Sequence, residues 1–400
     1  MSRPRIAFVI QRYGEQISGG SESACREIAE RLTSWYDIEV LTTCALDHRT
    51  WRNELQPGND TLNRVCIRRF PVVQERQHQR FQEMYDRIFG VRYSEAQEME
   101  MIRLQGPYCP SLILHLERHA QHYAAFVFFT YLYYPAVAGL PLVGEKSIFI
   151  PTAHDEPGLY LGIFDRVFRS ARRHLFLSPE EQYLTERRFV LPSGAGRFLG
   201  FGIDEPASGE DDGSYEPIRA SLEGRRVLTY VGRVEAAKGC AELIEYFLRF
   251  RREESAEDLT LLLLGRRAMN ISNPGRHLLA AGFVSDHTKY ECLRRTTVAV
   301  APSPYESLCI AALESWMHEK PLLANGACPV LVGHCQRSNG GLWYTSYGEF
   351  RECLRLLLSD PSFAIALGRQ GHRYVSDTYR WDRVIAVMRE ELDGIIAAAP

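Results

Sequence analysis

Arg226-Val-Leu-Thr-Tyr-Val-Gly-Arg-Val-Glu-Ala-Ala-Lys-Gly239 reads as a buried strand, a tight turn and the entry to a helix. The apolar and β-branched run after Arg226 suits a strand covered on both faces, and Gly232 and Gly239 bracket the turn. Outward from it the same alternation continues. Leu259–Leu264, Gly282–Val284, Val298–Ala301 and Pro321–Ala324 read as further strands, with helices over Cys240–Arg251, Thr288–Arg295 and Ser307–Met317. Upstream, Ile6–Ile10, Ile38–Thr42, Val65–Phe70, Ala125–Phe129, Ser147–Ile150 and His174–Leu177 form a first strand series, with helix-length amphipathic stretches between most of them. Gly202–Pro217, rich in Gly, Pro, Ser and acid, separates the two series as a linker does. The spacing predicts two doubly wound α/β domains in tandem, 1–202 and 218–378, joined by 203–217 and followed by a last helix in 379–400.

Composition sets the outer limits. The 400 residues are 45% hydrophobic and 24% charged, which excludes disorder and collagen. With 47 Lys+Arg against 50 Asp+Glu the formal charge is −3, too little field to hold a nucleic-acid backbone, so no nucleic-acid partner is expected. Ten cysteines without a Cys-x-x-Cys pair or zinc-site spacing read as reduced thiols of a cytoplasmic protein. The apolar run before Gln11 and Arg12 is too short for a signal peptide. Tyr123–Gly144 is uncharged and long enough to span a bilayer at ~20 residues. Its central tyrosines and Pro135 and Pro141 instead divide it into a strand, Ala124–Thr130, and a short helix or turn, Tyr134–Leu140.

Open parallel sheets bind ligands beyond the carboxyl ends of their strands, and two such sheets predict a substrate held between domains. Arg233 and Lys238 lie on the turn quoted above, where two cations suit a diphosphate. Lysine is rare here, at 146, 238, 289 and 320, so its use at 238 points to a compact phosphate-binding charge, the alternative being that Arg233 and Lys238 are both solvated loop charges. Farther on, Val300-Ala-Pro-Ser-Pro-Tyr-Glu-Ser-Leu-Cys-Ile-Ala-Ala-Leu-Glu-Ser-Trp316 places Glu306 at the expected start of a helix that carries Glu314. Eight helical residues separate the two carboxylates by roughly 12 Å, about the span from a ribose across a diphosphate to its attached group. Amides at such a helix start bind anions. Taken singly, Glu306 also reads as an ordinary first-turn acid and Glu314 as a solvated helix position.

The order Gly-Arg-x4-Lys-Gly followed by Glu-x7-Glu resembles the donor-binding half of retaining GT-B glycosyltransferases, in particular glycosyltransferase family 4, and the resemblance covers nearly the whole chain. It implies a GT-B fold of two Rossmann-like domains facing across a cleft. Ser18-Gly-Gly-Ser-Glu22 matches the family's glycine-rich turn, where the backbone of Gly19 and Gly20 would approach the donor phosphates. His154, in Ile150-Pro-Thr-Ala-His-Asp-Glu-Pro157, matches the position that touches the donor sugar. Phe201-Gly-Ile-Asp204 resembles the segment leading into the second domain, and Tyr379-Arg-Trp-Asp-Arg-Val-Ile385 the start of a last helix that crosses back to the first. Two departures stand out. The family often has Glu-Gly-Phe-Gly where this chain has Glu306-Ser-Leu-Cys309, and Leu264-Gly-Arg-Arg267 lacks the usual Gly-x-Gly.

The resemblance implies a hexosyltransferase that uses a nucleoside-diphosphate sugar, UDP- or GDP-linked, as co-substrate, with no other cofactor; no Asp-x-Asp motif stands at a strand end, so transfer without a metal is expected. Glu306, His154, Arg233 and Lys238 would carry the chemistry. Gly19, Gly20, Arg233, Lys238, Ser307, Leu308, Cys309 and Glu314 would hold the donor, with Glu314 on the ribose. The acceptor would be a glycan or lipid-linked glycan of bacterial cell-surface polysaccharide assembly. A GT-B sugar-nucleotide epimerase and a non-catalytic scaffold of a glycan-assembly complex are the alternatives. On the acceptor side, Gln74–Arg103 reads as a long polar helical stretch that either projects over the acceptor or forms a plain surface hairpin. Gly162–Arg173 puts Ile163, Phe164, Val167 and Phe168 on one face, ringed by arginines. That pattern fits either peripheral contact at the inner face of the cytoplasmic membrane or packing on the sheet.

Overall fold

The structure, a computed structural model, describes residues 3–17, 19–205, 212–271, 275 and 277–398. Two compact units share the chain: Met1–Phe201 with Asp382–Pro400, and Gly202–Trp381. The first contains β1 (Arg5–Val9), β2 (Asp37–Thr43), β3 (Gly58–Leu62), β4 (Val65–Phe70), β5 (Ala125–Phe129), β6 (Ser147–Ile150), β7 (Arg173–Phe176) and β8 (Gly196–Phe198). They form one sheet in the order β3-β4-β2-β1-β5-β6-β7-β8, parallel except for the β3–β4 hairpin at one edge. β3 is exposed along almost its whole length and polar, which is why its sequence carries no strand signal. β5 and β6 are buried at every position, as helices on both faces of a parallel sheet require.

The second unit has β9 (Arg226–Val231), β10 (Leu259–Leu264), β11 (Leu278–Gly282), β12 (Val298–Ala301), β13 (Leu322–Asn325) and β14 (Gly341–Tyr344), all parallel, in the order β11-β10-β9-β12-β13-β14. Strand order reverses between β1 and β5 in the first sheet and between β9 and β12 in the second. At such a switch point adjacent loops diverge to opposite faces and leave a crevice at the strands' carboxyl ends. The loops after β1, β9 and β12 are those that hold Gly19, Lys238 and Glu306.

Four expectations change. The strand expected at Gly282–Val284 is β11, which stops at Gly282, where φ of +77° ends it; Val284 misled because alanine-rich β11 has little β character. The helix expected over Ser307–Met317 begins at Ile310, because Cys309 holds a φ of +68° that no right-handed helix admits. Gln74–Arg103 is not one helical stretch. Its helices are His78–Tyr85 and Glu95–Gln105, the second started by a capping box of Ser94 and Gln97. A helix, Tyr215–Ser221, also begins inside the stretch read as linker, of which 206–211 lie outside the described residues.

Tyr123–Gly144 forms β5 and the helix Tyr134–Val143, and among the described residues no helix is long and apolar enough to cross a membrane. The last helix, Trp381–Ala397, packs within the first unit from Asp382 onward. Tyr36 donates to Asp393 at 2.6 Å, and Glu391 accepts from Arg173 at 2.7 Å and Arg197 at 3.0 Å. All ten cysteines are free thiols.

Candidate active site

In the second unit the loop after β9 is shaped by its glycines. Gly239 has φ of +74°, and a Cβ there would lie 2.1 Å from the Pro302 carbonyl oxygen, so no other residue fits. This close approach brings the loops after β9 and β12 together. Lys238 Nζ consequently sits 2.7 Å from Glu306 Oε1, with the two side chains 26% and 18% exposed. Burial alone would lower the Lys238 pKa; the Glu306 carboxylate outweighs it, and the ammonium is held above its ordinary range. Arg233 lies on the same loop, its guanidinium 3.3 Å from Glu235 and its carbonyl accepting from Tyr230 Oη at 2.7 Å. Two cations and two carboxylates therefore share one loop cluster, where an entering anion meets donors already fixed in place.

Behind Glu306 the chain is equally constrained. Leu308 is buried and its carbonyl accepts from His334 Nε2 at 2.9 Å, while Tyr374 Oη lies 3.0 Å from His334 Nδ1. Complete burial, with Arg337 nearby, pushes the His334 pKa down to about 3. The neutral ring donates from Nε2 and accepts at Nδ1. Cys309 occupies the left-handed conformation where the resembling family often has glycine, so the backbone path survives although the residue type differs. Glu314, on Ile310–Met317, is 2.7 Å from Lys289, which also binds Asp286 at 2.8 Å. Burial pulls the Lys289 pKa down and Glu314 more than reverses it. The 12 Å helical separation fails, because only Ile310 to Glu314 is helix and spans about 6 Å.

In the first unit, Gly19 and Gly20 open the helix Gly20–Leu32 directly after the β1 loop, Ser18 lying outside the described residues. A Cβ on Gly19 would sit 2.3 Å from Glu22 Oε2, so Gly19 is needed by its own helix. Gly20 is different: among the described residues beyond its own helix turn, a Cβ there meets nothing within 4 Å. Glu22 is buried, accepting from Arg12 at 2.6 Å, Gln11 at 3.0 Å and Ser21 at 2.9 Å. Burial pushes its carboxyl pKa up, but the Arg12 guanidinium and the Ser21 hydroxyl bring it down to about 2.

His154 follows β6 on a loop where Thr152 has φ of +50°. Its Nδ1 is 3.2 Å from Glu156 Oε1, and Glu156 accepts from Tyr131 at 2.6 Å and Tyr85 at 3.1 Å. Glu181, fully buried on the helix Pro179–Arg188, accepts from the amides of Ala153 and Leu177, each at 2.7 Å, and so fixes this loop from below. Ile163, Phe164, Val167 and Phe168 are in the core, so the apolar face of Ile163–Ser170 is a packing face and not a membrane face.

Arg233, Lys238, Glu306, Ser307, Leu308 and Cys309 thus meet in the second unit with Glu314 one helix turn beyond, whereas Gly19, Gly20 and His154 belong to the first. Sequence reading missed the partners Arg12, Gln11, Glu22, Glu156, Glu181, Lys289 and His334. Ser178-x-x-Glu181 carries a capping signature, yet Glu181 spends its carboxylate on the His154 loop. Arg12, Gln11 and Glu22 pair across the loop after β1 and Glu156 lies two residues from His154, but no spacing rule pairs them, and Lys289 and His334 come from separate elements.

Residues 214–373 match the family model for glycosyl transferases group 1. A glycogen synthase of Mycobacterium tuberculosis is 27% identical over 173 residues, 42% of each chain, so the chain spans about two-fifths of the length of the curated relatives it matches. Among solved structures, sucrose-phosphate synthase from Thermosynechococcus elongatus superposes with a TM-score of 0.72 at 18% identity, covering 99% of this chain and 100% of that one. Anabaena HepE in complex with UDP-glucose gives 0.70 at 13% identity, covering 98% and 100%. These likenesses run the length of the chain and give its fold as GT-B, with two Rossmann-like units.

Proposed function

We propose that this chain, whose residues 214–373 match the family model for glycosyl transferases group 1, is a retaining, metal-independent hexosyltransferase. It moves a hexose from a nucleoside-diphosphate sugar, UDP- or GDP-linked, to a glycan or lipid-linked glycan, in the cytoplasm during assembly of a bacterial surface polysaccharide. The observation that carries this reading is the Lys238–Glu306 contact at the switch point of the second sheet, with Arg233 beside it. As the glycosidic bond breaks, the leaving diphosphate gains negative charge. Arg233, Lys238, the amide of Gly20 and the amides of Ser307, Leu308 and Cys309 stabilise that charge. Glu306 keeps Lys238 charged and orients sugar hydroxyls, and His154, held by Glu156, meets the sugar. Glu314 takes the ribose hydroxyl pair in exchange for part of its contact with Lys289. Attack occurs on the face the leaving group departs from, its phosphate accepting the acceptor proton, and no protein nucleophile is used.

Thermal unfolding with UDP, GDP, ADP and dTDP, each in EDTA and in Mg²⁺, tests this. A ligand at 100 times its Kd stabilises by about 2.7 kcal/mol. One nucleotide is expected to stabilise equally in both media, less so in Glu314→Gln. Stabilisation by none of them refutes the reading, and stabilisation only with Mg²⁺ refutes its metal independence.

Gly20→Ala supplies a sharper check on the first unit. The added methyl meets no neighbour within 4 Å among the described residues beyond its own helix turn and favours the helix, so the free protein should keep its melting temperature or gain a few tenths of a kcal/mol. Affinity for the stabilising sugar nucleotide should fall about tenfold or more, because the methyl intrudes where a phosphate approaches the backbone. Unchanged affinity would remove Gly20 from the donor site.

A further inference from the structure

A cavity of about 960 Å³ opens in the first unit between the connection from His78–Tyr85 to Glu95–Gln105 and the helix Ile163–Ser170 with the loop before it. Its walls come from the segments that follow β4 and β6 in the chain, and one of them runs the whole length of the helix Ile163–Ser170. The volume is that of a site for a small ligand, enough for two or three sugar rings. Phe89 and Tyr160 stand in it 75% and 43% exposed, their ring centres 5.9 Å apart. Exposed aromatics placed side by side offer the flat apolar face on which the C–H face of a pyranose stacks.

The charges around the cavity do not all face a ligand. Glu98 is buried and accepts from the amides of Gly162 and Ile163 at 3.0 and 2.6 Å, so the helix start is already satisfied from within. Arg166 lies 3.4 Å from Glu95, and Asp165 is 2.8 Å from Arg188. Arg92 and Arg169 also line the cavity and have no ion pair or hydrogen bond among the described residues. The unsatisfied charge is therefore positive. Tyr160 donates to Asp155 at 2.7 Å, and Asp155 is the neighbour of His154, so one loop serves both the cavity and the proposed reaction centre.

We propose that this cavity is the acceptor site and that the acceptor is an anionic glycan, its sugar ring on Phe89 and Tyr160 and its carboxylate or phosphate on Arg92 and Arg169. The proposal rests on the transferase reading above. It is tested by titrating the full-length protein, with and without UDP, against three matched probes: cellobiose, cellobiouronic acid and cellobiose 6′-phosphate. At least one charged probe is expected to bind about tenfold tighter than cellobiose, and the Arg92→Gln/Arg169→Gln double variant to lose that margin. Phe89→Ala should weaken all three probes while the melting temperature, for so exposed a residue, stays in place. Which charged probe binds better separates a uronate from a phosphate acceptor. Equal binding of charged and neutral probes, no binding of any at millimolar concentration, or a margin that survives in the double variant overturns the proposal. Nucleotide stabilisation with no glycan discrimination defeats this inference alone; glycan discrimination without nucleotide stabilisation defeats the transferase reading and leaves a glycan-binding cavity.

Discussion

Glu22→Gln is expected to cost about 3–5 kcal/mol of stability, read as a fall in the urea or thermal midpoint of the first unit. Arg12 and Glu22 are each 7% exposed at their side chains and 2.6 Å apart, so the variant leaves the guanidinium buried with no counter-charge. Replacing both, as Arg12→Met/Glu22→Met, should recover most of the loss, since desolvating the pair offsets much of its Coulombic gain. The pH dependence follows from the depressed carboxyl. Its ordinary value of 4.5 falls to about 2 in the folded protein, so the stabilisation is complete above 4.5 and disappears as pH drops through about 2. The difference corresponds to about 3 kcal/mol. Wild-type protein should therefore lose stability between these limits while Glu22→Gln stays flatter. A Gln variant within 1 kcal/mol of wild type, or with the same acid profile, would mean that Gln11 and Ser21 alone hold the turn before Gly20–Leu32.

The same pair shows where sequence reading stops. Parallel strands announce themselves because both faces are covered: Leu259–Leu264 and Ala125–Phe129 are apolar without interruption and were placed almost to the residue. The glycine turns were visible for a similar reason, since Gly232 and Gly239 take φ values of +147° and +74° that side chains resist. Arg12 with Glu22, Glu181 with Ala153, and His334 with Leu308 were not visible. Glu181 with Ala153 and His334 with Leu308 join segments set beside one another by sheet order, Arg12 and Glu22 meet across one loop, and nothing in local spacing distinguishes a buried carboxylate with two donors from a solvated one. Cys309 is intermediate: the departure from glycine was plain, but only the backbone shows that the left-handed turn is kept and the helix delayed to Ile310. The apolar face of Ile163–Ser170 marks the opposite limit, a strong pattern that fits membrane and core equally until burial decides for the core.

Lys238→Met should lower the rate of sugar transfer, or of donor hydrolysis where no acceptor is supplied, by about 10²–10³. The side chain is nearly isosteric, so the loss reports charge. If the ammonium acts on the departing diphosphate, kcat falls by more than KM rises, because the interaction strengthens only as the bond breaks. A purely structural role makes a different forecast. Lys238 is 2.7 Å from Glu306, and a lysine that merely held Glu306 would make Lys238→Met, Glu306→Gln and the double variant equally slow. Under the proposed mechanism the two residues act on different parts of the donor, Lys238 on the phosphates and Glu306 on the sugar, so the double variant is slower than either. Lys238→Arg is not expected to rescue fully, since a planar fork replaces a point charge in the space fixed by Gly239 against Pro302. A Lys238→Met enzyme with unchanged kcat would place the leaving-group charge on Arg233 and the loop amides alone, leaving Lys238 as the partner that keeps Glu306 in position.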